Sequence, residues 1–182
     1  MTIEDLARWI RQSLKRNPAL EIDGLGTFAR GRESGEIVFC GPNPPRVFIA
    51  YAKEDGDAAD RLYRGLQRLG FAAWLDRKKL LPGQNWPRRI EDAIANSDFF
   101  IACFSTRSVK KRGGFQAEIR FALDCARRVP LDEVFLIPVR IDNCPVPARI
   151  QRETQYVDLF PDWEAGFACV LEIIERQARK AA

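Results

Sequence analysis

Asp98-Phe99-Phe100-Ile101-Ala102-Cys103-Phe104 reads as an unbroken apolar strand. A strand with one wet face alternates polar and apolar side chains, whereas a strand covered on both faces runs apolar throughout, as at the centre of a parallel sheet. Outward from this stretch, strand and helix signals alternate. Upstream, Arg46–Tyr51 reads as a strand. Asp57–Leu69 reads as a helix with Ala59, Leu62, Tyr63, Leu66 and Leu69 on one side and Gly70 closing it. Phe71–Leu75 is a second strand, and Asp76–Gly83 a charged loop ending in Pro-Gly. Pro87 suits the first turn of a helix that carries Ile90, Ala93 and Ile94. Downstream come a helix from about Phe115 to Arg127, strands Val134–Ile141 and Gln155–Leu159, and a last helix carrying Trp163, Phe167, Leu171 and Ile174. Five strands in β-α-β-α order predict an α/β fold, a doubly wound five-stranded parallel sheet whose sites open at the carboxyl ends of the strands.

Cys40-Gly41-Pro42-Asn43-Pro44-Pro45 interrupts this pattern on its amino side, since three prolines in four positions resist both helix and ladder pairing. The expected organisation is a small α+β segment over 1–41, a Pro-rich linker over 42–45 and the α/β domain over 46–182. In the first segment Thr2 and Asp5 form a capping pattern ahead of Ile3, Leu6, Ile10 and Leu14 at helical spacing. Leu20–Ile22, Gly26–Ala29 and Ile37–Cys40 read as short strands, with Asp23-Gly24 and Ser34-Gly35 as the turns. So few residues bury little core alone, which points to a docking or oligomerisation role.

Composition narrows the chemistry. Of 182 residues 46% are hydrophobic and none is histidine, which rules out Ser-His-Asp and Cys-His nucleophile systems and HExxH zinc sites. A net charge of +4 suits an anionic small ligand, and no run of like charge reads as a nucleic-acid arm. The first 45 residues carry six bases and six acids, so the excess lies beyond them. Five scattered cysteines, without a CxxC pair, suggest neither a disulfide framework nor a metal site and point to a reducing, cytoplasmic setting. The longest fully apolar run has six residues, far below a membrane span.

The strand ends carry Tyr51, Lys53, Glu54 and Asp55, then Asp76 to Trp86, then Ser105 to Ser108. No glycine-rich phosphate loop of either standard spacing is present. Glu118 sits oddly, because helical spacing puts it on one face with Phe115, Phe121, Ala122 and Cys125. That acid is read either as a functional carboxylate or as a boundary glutamate paired with Arg112 or Arg127. A receiver domain fits poorly: its chemistry needs an acid at the end of the third strand, where this chain has Ser105.

Val47-Phe48-Ile49-Ala50-Tyr51, Gly70-Phe71 leading to Trp74-Leu75-Asp76, Leu80-Leu81-Pro82-Gly83 with Trp86 and Ile90, Ser97-Asp98 opening a strand that ends Phe104-Ser105, and Glu118-Ile119 with Ala122-Leu123 together resemble a Toll/interleukin-1-receptor (TIR) domain of the bacterial type. The resemblance runs from about Arg46 to Phe160 and implies a flavodoxin-like fold. It also implies cleavage of NAD+, as substrate rather than cofactor, at the nicotinamide–ribose bond in bacterial immunity or signalling, with no metal. The family's catalytic glutamate matches Glu118. Tyr51, Lys53, Trp86 and Ser105 match or adjoin the nucleotide pocket, and Asp76 matches a structural, loop-capping position. Leu80, Leu81, Pro82 and Gly83 match the loop through which such domains self-associate, and sensor or effector partners follow from the same likeness. Related bacterial sequences carry a bulky aromatic four residues before the glutamate. Here that position is Gly114, and Phe115 is the candidate to replace the ring. A non-catalytic interaction module is the alternative the resemblance leaves open. Leu20-Glu21-Ile22-Asp23-Gly24-Leu25-Gly26-Thr27-Phe28 resembles part of an HU-type domain, but the segment is charge-neutral and no DNA-binding arm follows it.

Overall fold

The computed structural model describes residues 2–17, 19–23, 25–30, 37–41, 44–79 and 85–181. By internal contacts the chain forms two compact units, Met1–Pro45 with Arg64–Ala72, and Arg46–Tyr63 with Ala73–Ala182.

The first unit opens with helix α1 (Ile3–Ser13). Thr2 Oγ1 accepts from the Asp5 N–H at 3.2 Å, and the Asp5 carboxylate accepts from the Thr2 N–H at 3.1 Å. Two amide donors that an α-helix leaves without intrahelical partners are thereby satisfied. Strands β1 (Ala19–Ile22), β2 (Gly26–Arg30) and β3 (Ile37–Cys40) form an antiparallel sheet in that order. Leu20, Phe28 and Phe39 lie in one cross-strand row, with the two phenyl rings 4.7 Å apart. Gly26 begins β2 at φ 128°, a conformation open to glycine and strained for any other residue. The turn residues Gly24, Ser34 and Gly35 lie outside the described residues, as do Pro42 and Asn43 of the linker.

The second sheet holds β4 (Arg46–Ala50), β5 (Ala72–Trp74), β6 (Phe99–Phe104), β7 (Leu136–Arg140) and β8 (Val157–Asp158) in the order β5-β4-β6-β7-β8. It is the parallel, flavodoxin-like arrangement expected from the alternating signals. The connecting helices are α2 (Gly56–Arg68), α3 (Asp76–Lys79), α4 (Trp86–Ala95), α5 (Gly114–Ala126), α6 (Ala148–Glu153) and α7 (Trp163–Ala181). Every residue of β6 is buried, which accounts for its unbroken apolar run. Phe48 stacks on Phe100 at 5.3 Å and on the partly buried Trp74 at 4.6 Å, and full burial of each phenylalanine ring contributes roughly 1.5–3 kcal/mol. None of the described helices is long and apolar enough to cross a membrane.

At the amino ends of two neighbouring strands, Asp98 accepts from the Arg46 N–H at 2.7 Å and from its guanidinium at 3.0 Å. On the far edge, Arg140 grips Asp158 with two bonds of 2.6 and 2.8 Å and lies over the Tyr156 ring. Helix α7 comes so close to β8 that a Cβ on Gly166 would stand 2.1 Å from the Asp158 carbonyl oxygen. Glycine is what permits that approach.

Two elements depart from the sequence reading. Asp76–Lys79, expected as loop, is a single helical turn, with the Lys78 and Lys79 amides donating to the Leu75 carbonyl at 2.9 and 3.1 Å. An acid at its start suits the helix dipole. Helix α6, six residues long, has no counterpart in the sequence reading. Pro147 is its N-cap, a place where no N–H is needed.

Candidate functional site

Parallel topology gathers the carboxyl ends of β4, β5 and β6 at one edge, and the chain leaves each strand there through a different segment. From β4 it passes through Tyr51 into a tight turn over Lys53–Asp55. From β5 it passes into α3, which Asp76 opens. From β6 it runs through Ser105 to Gly113 before α5 begins. Gly113 adopts φ 132°, so this helix starts on a glycine that offers no capping side chain.

The Tyr51 hydroxyl donates to Asp76 Oδ1 at 2.7 Å and joins the first segment to the second. Glu118 lies in the second turn of α5, partly buried. Its Oε1 is 3.9 Å from the place a Cβ would occupy on Gly114, so the carboxylate folds back over the helix start. Burial chiefly, with the negative charge of Asp76 added, pushes the Glu118 pKa up to about 7. Neither Arg112 nor Arg127 forms an ion pair with it; Arg127 bonds Asp124 instead. No hydrogen bond from a described residue reaches the Glu118 carboxylate.

The other candidates are placed unequally. Lys53 is exposed on its turn, and Trp86 is 56% exposed at the first position of α4, preceded by an Asn85 cap. Ser105 and Phe115 turn inward. Ser105 is 1% exposed, and its hydroxyl donates to Asp55 Oδ2 at 2.6 Å. The Phe115 ring packs edge-on against Phe104 at 5.8 Å, inside the core, and so does not stand in for a ring at position 114. Leu80, Leu81, Pro82 and Gly83 lie outside the described residues. Asp55 and Asp142 went unnoticed as structural acids. Asp142 accepts from Thr106, at 2.9 Å from the amide and 2.8 Å from the hydroxyl, and thereby ties the segment after β7 to the one after β6. No group of metal-ligating side chains occurs among the described residues.

This edge therefore presents one carboxylate with a raised pKa in the field of Asp76, which Tyr51 bonds, and Lys53 stands exposed on the turn after β4. A fixed carboxylate in a partly dry site can stabilise a cationic centre and orient the hydroxyls around it.

A family model for the TIR domain matches residues 47–171. The TIR domain of the Toll-related receptor TRR-2 from Hydra magnipapillata has a TM-score of 0.58 at 24% identity, over 71% of this chain and 97% of that one. A metazoan TIR-STING receptor from C. gigas, solved in complex with 2',3'-cGAMP, has a TM-score of 0.54 at 18% identity, over 70% of this chain and 38% of that one. A prokaryotic SEFIR domain has a TM-score of 0.53 at 16% identity, over 71% and 98%. At these identities the likeness is one of fold. No curated protein matches the sequence.

Proposed function

This chain belongs to the TIR-domain family, and we propose that it cleaves NAD+ at the nicotinamide–ribose bond with Glu118 as the catalytic carboxylate. The observation that carries this reading is the Glu118 side chain itself: partly buried, pushed to a pKa of about 7, and without a hydrogen-bond donor among the described residues. A carboxylate kept at such a cost, with its oxygens unspent, is suited to meeting a ligand.

The chemistry asks little more of the protein. The C1′–N bond breaks with its electron pair passing to the pyridinium nitrogen, so nicotinamide departs neutral and needs no general acid. The ribose left behind has oxocarbenium character, which the Glu118 carboxylate stabilises while it orients the sugar hydroxyls. Water, the adenine of the same molecule or another acceptor then attacks the anomeric carbon and releases a proton. The product is accordingly ADP-ribose, a cyclic isomer or a conjugate. Tyr51, Lys53 and Trp86 are the pocket residues in this reading. Leu80–Gly83 is the self-association element, through which a sensor or effector of an immune pathway controls the activity.

Incubating the assembled protein with NAD+ and resolving the products by chromatography tests the proposal. Nicotinamide release that falls by about 10²–10³ or more in Glu118→Ala is the expected result. Its absence from an assembled wild type favours the second reading, a non-catalytic interaction module. The observation on that side is Gly114, which offers no ring beside the carboxylate.

A further inference from the structure

We propose that Asp55 is a positioning residue for Glu118: its carboxylate clasps the Ser105 hydroxyl and thereby fixes the β6–α5 connection from which the helix bearing Glu118 starts. The inference rests on the catalytic reading of Glu118 for its kinetic consequence and on local geometry for its structural one.

Asp55 ends the charged run Lys53-Glu54-Asp55, yet it is only 7% exposed. Ser105 Oγ, which donates to it at 2.6 Å, also accepts from the Ser108 N–H at 3.0 Å and the Arg107 N–H at 3.2 Å. Ser108, fully buried, accepts from the Ser105 N–H at 2.7 Å and donates back to the Ser105 carbonyl at 3.2 Å. From there the Ser108 carbonyl accepts from the Lys111 N–H at 3.2 Å and from the Gln116 side-chain amide at 3.4 Å. Gln116 stands in the first turn of α5, two residues before Glu118. A continuous chain of hydrogen bonds therefore runs from Asp55 through Ser105 and Ser108 into the catalytic helix. At its outer end Glu54, the neighbour of Asp55, pairs with the Lys111 ammonium. Two consecutive acids on one turn thus hold the connection at two points.

A buried carboxylate is an expensive way to fill space. Burial raises the Asp55 pKa, and the Ser105 hydrogen bond followed by the positive charge of Arg107 oppose that rise. The arrangement gains in orientation instead, because a hydroxyl whose proton is committed to Asp55 has its lone pairs fixed toward the two backbone amides. Displacements of about 1 Å at a reacting group can cost on the order of a hundredfold in rate.

The test measures nicotinamide release and backbone amide exchange for wild type, Asp55→Ala and Asp55→Asn. In Asp55→Ala, kcat is expected to fall about tenfold or more, with KM within roughly threefold. Exchange should quicken about tenfold at Arg107 and Ser108, whose acceptor oxygen is still present, and in the first turn of α5. Asp55→Asn keeps an oxygen for the Ser105 hydroxyl and should restore most of both. If Asp55→Ala does not fold, Ser105→Ala with Ser105→Thr as the hydroxyl-bearing rescue puts the same question. A folded Asp55→Ala protein with unchanged exchange overturns the clasp, and so does an asparagine variant as impaired as the alanine one. Should the assembled wild type release no nicotinamide, the catalytic reading fails while the exchange comparison still decides whether Asp55 holds the connection.

Discussion

Asp55 and Glu118 are two carboxyls withdrawn from water at one edge of the same parallel sheet, and burial is the main force raising the pKa of each. They differ in what meets them. Asp55 receives a short bond from Ser105 and lies in the field of Arg107, and its oxygen is joined to a network running through two serines. Glu118 faces the negative Asp76 and receives no hydrogen bond from a described residue. Burial by itself therefore does not distinguish an acid that builds structure from one that awaits a ligand. The hydrogen-bond account of the carboxylate does, because Asp55 already has a short donor committed to it, whereas Glu118 has none among the described residues.

The comparison can be broken most directly by turnover. Glu118→Gln, nearly isosteric, should lower nicotinamide release by about 10²–10³, whereas Asp55→Asn should change it less than about threefold. Equal losses would erase the distinction. Stability should separate the two acids with opposite signs. The folded pKa of Glu118, about 7, lies above the unfolded value near 4.5, so the stability this group contributes is present below pH 4.5 and is lost as pH rises through 7. Denaturant melts should find Glu118→Gln more stable than wild type by up to about 3 kcal/mol at pH 8, with no such gain at pH 4. Asp55→Ala, which strands a buried hydroxyl, should instead be destabilised by roughly 1–3 kcal/mol at pH 8.

The pH–rate profile sharpens the same contrast. If the ionised Glu118 is the active form, kcat/KM rises about tenfold per pH unit below 7 and levels above it. A profile flat from pH 5 to 8 would count against that role. The smallest effect belongs to the exposed Glu54–Lys111 pair. Lys111→Met should slow turnover less than about threefold and leave the melting curve where it is, as expected for an ion pair in contact with solvent.

Much of this was legible in the residues. The apolar run of β6 announced a central strand because that strand has no wet face. Glu118 was conspicuous as an acid on an apolar helical stripe, whereas Phe115, expected to stand in for a pocket ring, lies in the core that the same stripe faces. The structural role of Asp55, named only as one of the residues after β4, was hidden for the opposite reason. Within Lys53-Glu54-Asp55 the residue looks solvated, and its partner Ser105 comes from fifty residues away, a pairing that no local period encodes. The Arg46–Asp98 contact is hidden in the same manner, since each residue reads only as a strand boundary until β4 and β6 are placed side by side. Helix α6 and the turn of α3 were missed because a few residues give too short a window for a helical period to show.

Gly114 has one more consequence. Its backbone is helical, and among the described residues beyond its chain neighbours and its own helix backbone, the Glu118 oxygen at 3.9 Å is what an added Cβ would meet within 4 Å. The position therefore takes a side chain without backbone strain and aims it at the Glu118 carboxylate. A cysteine installed there becomes a chemical address, where an electrophile-bearing nucleotide analogue, a fluorophore or a spin label can be anchored beside the carboxylate. Occupancy of this edge would then be readable by mass or by spectrum, whether or not any bond in a substrate is broken.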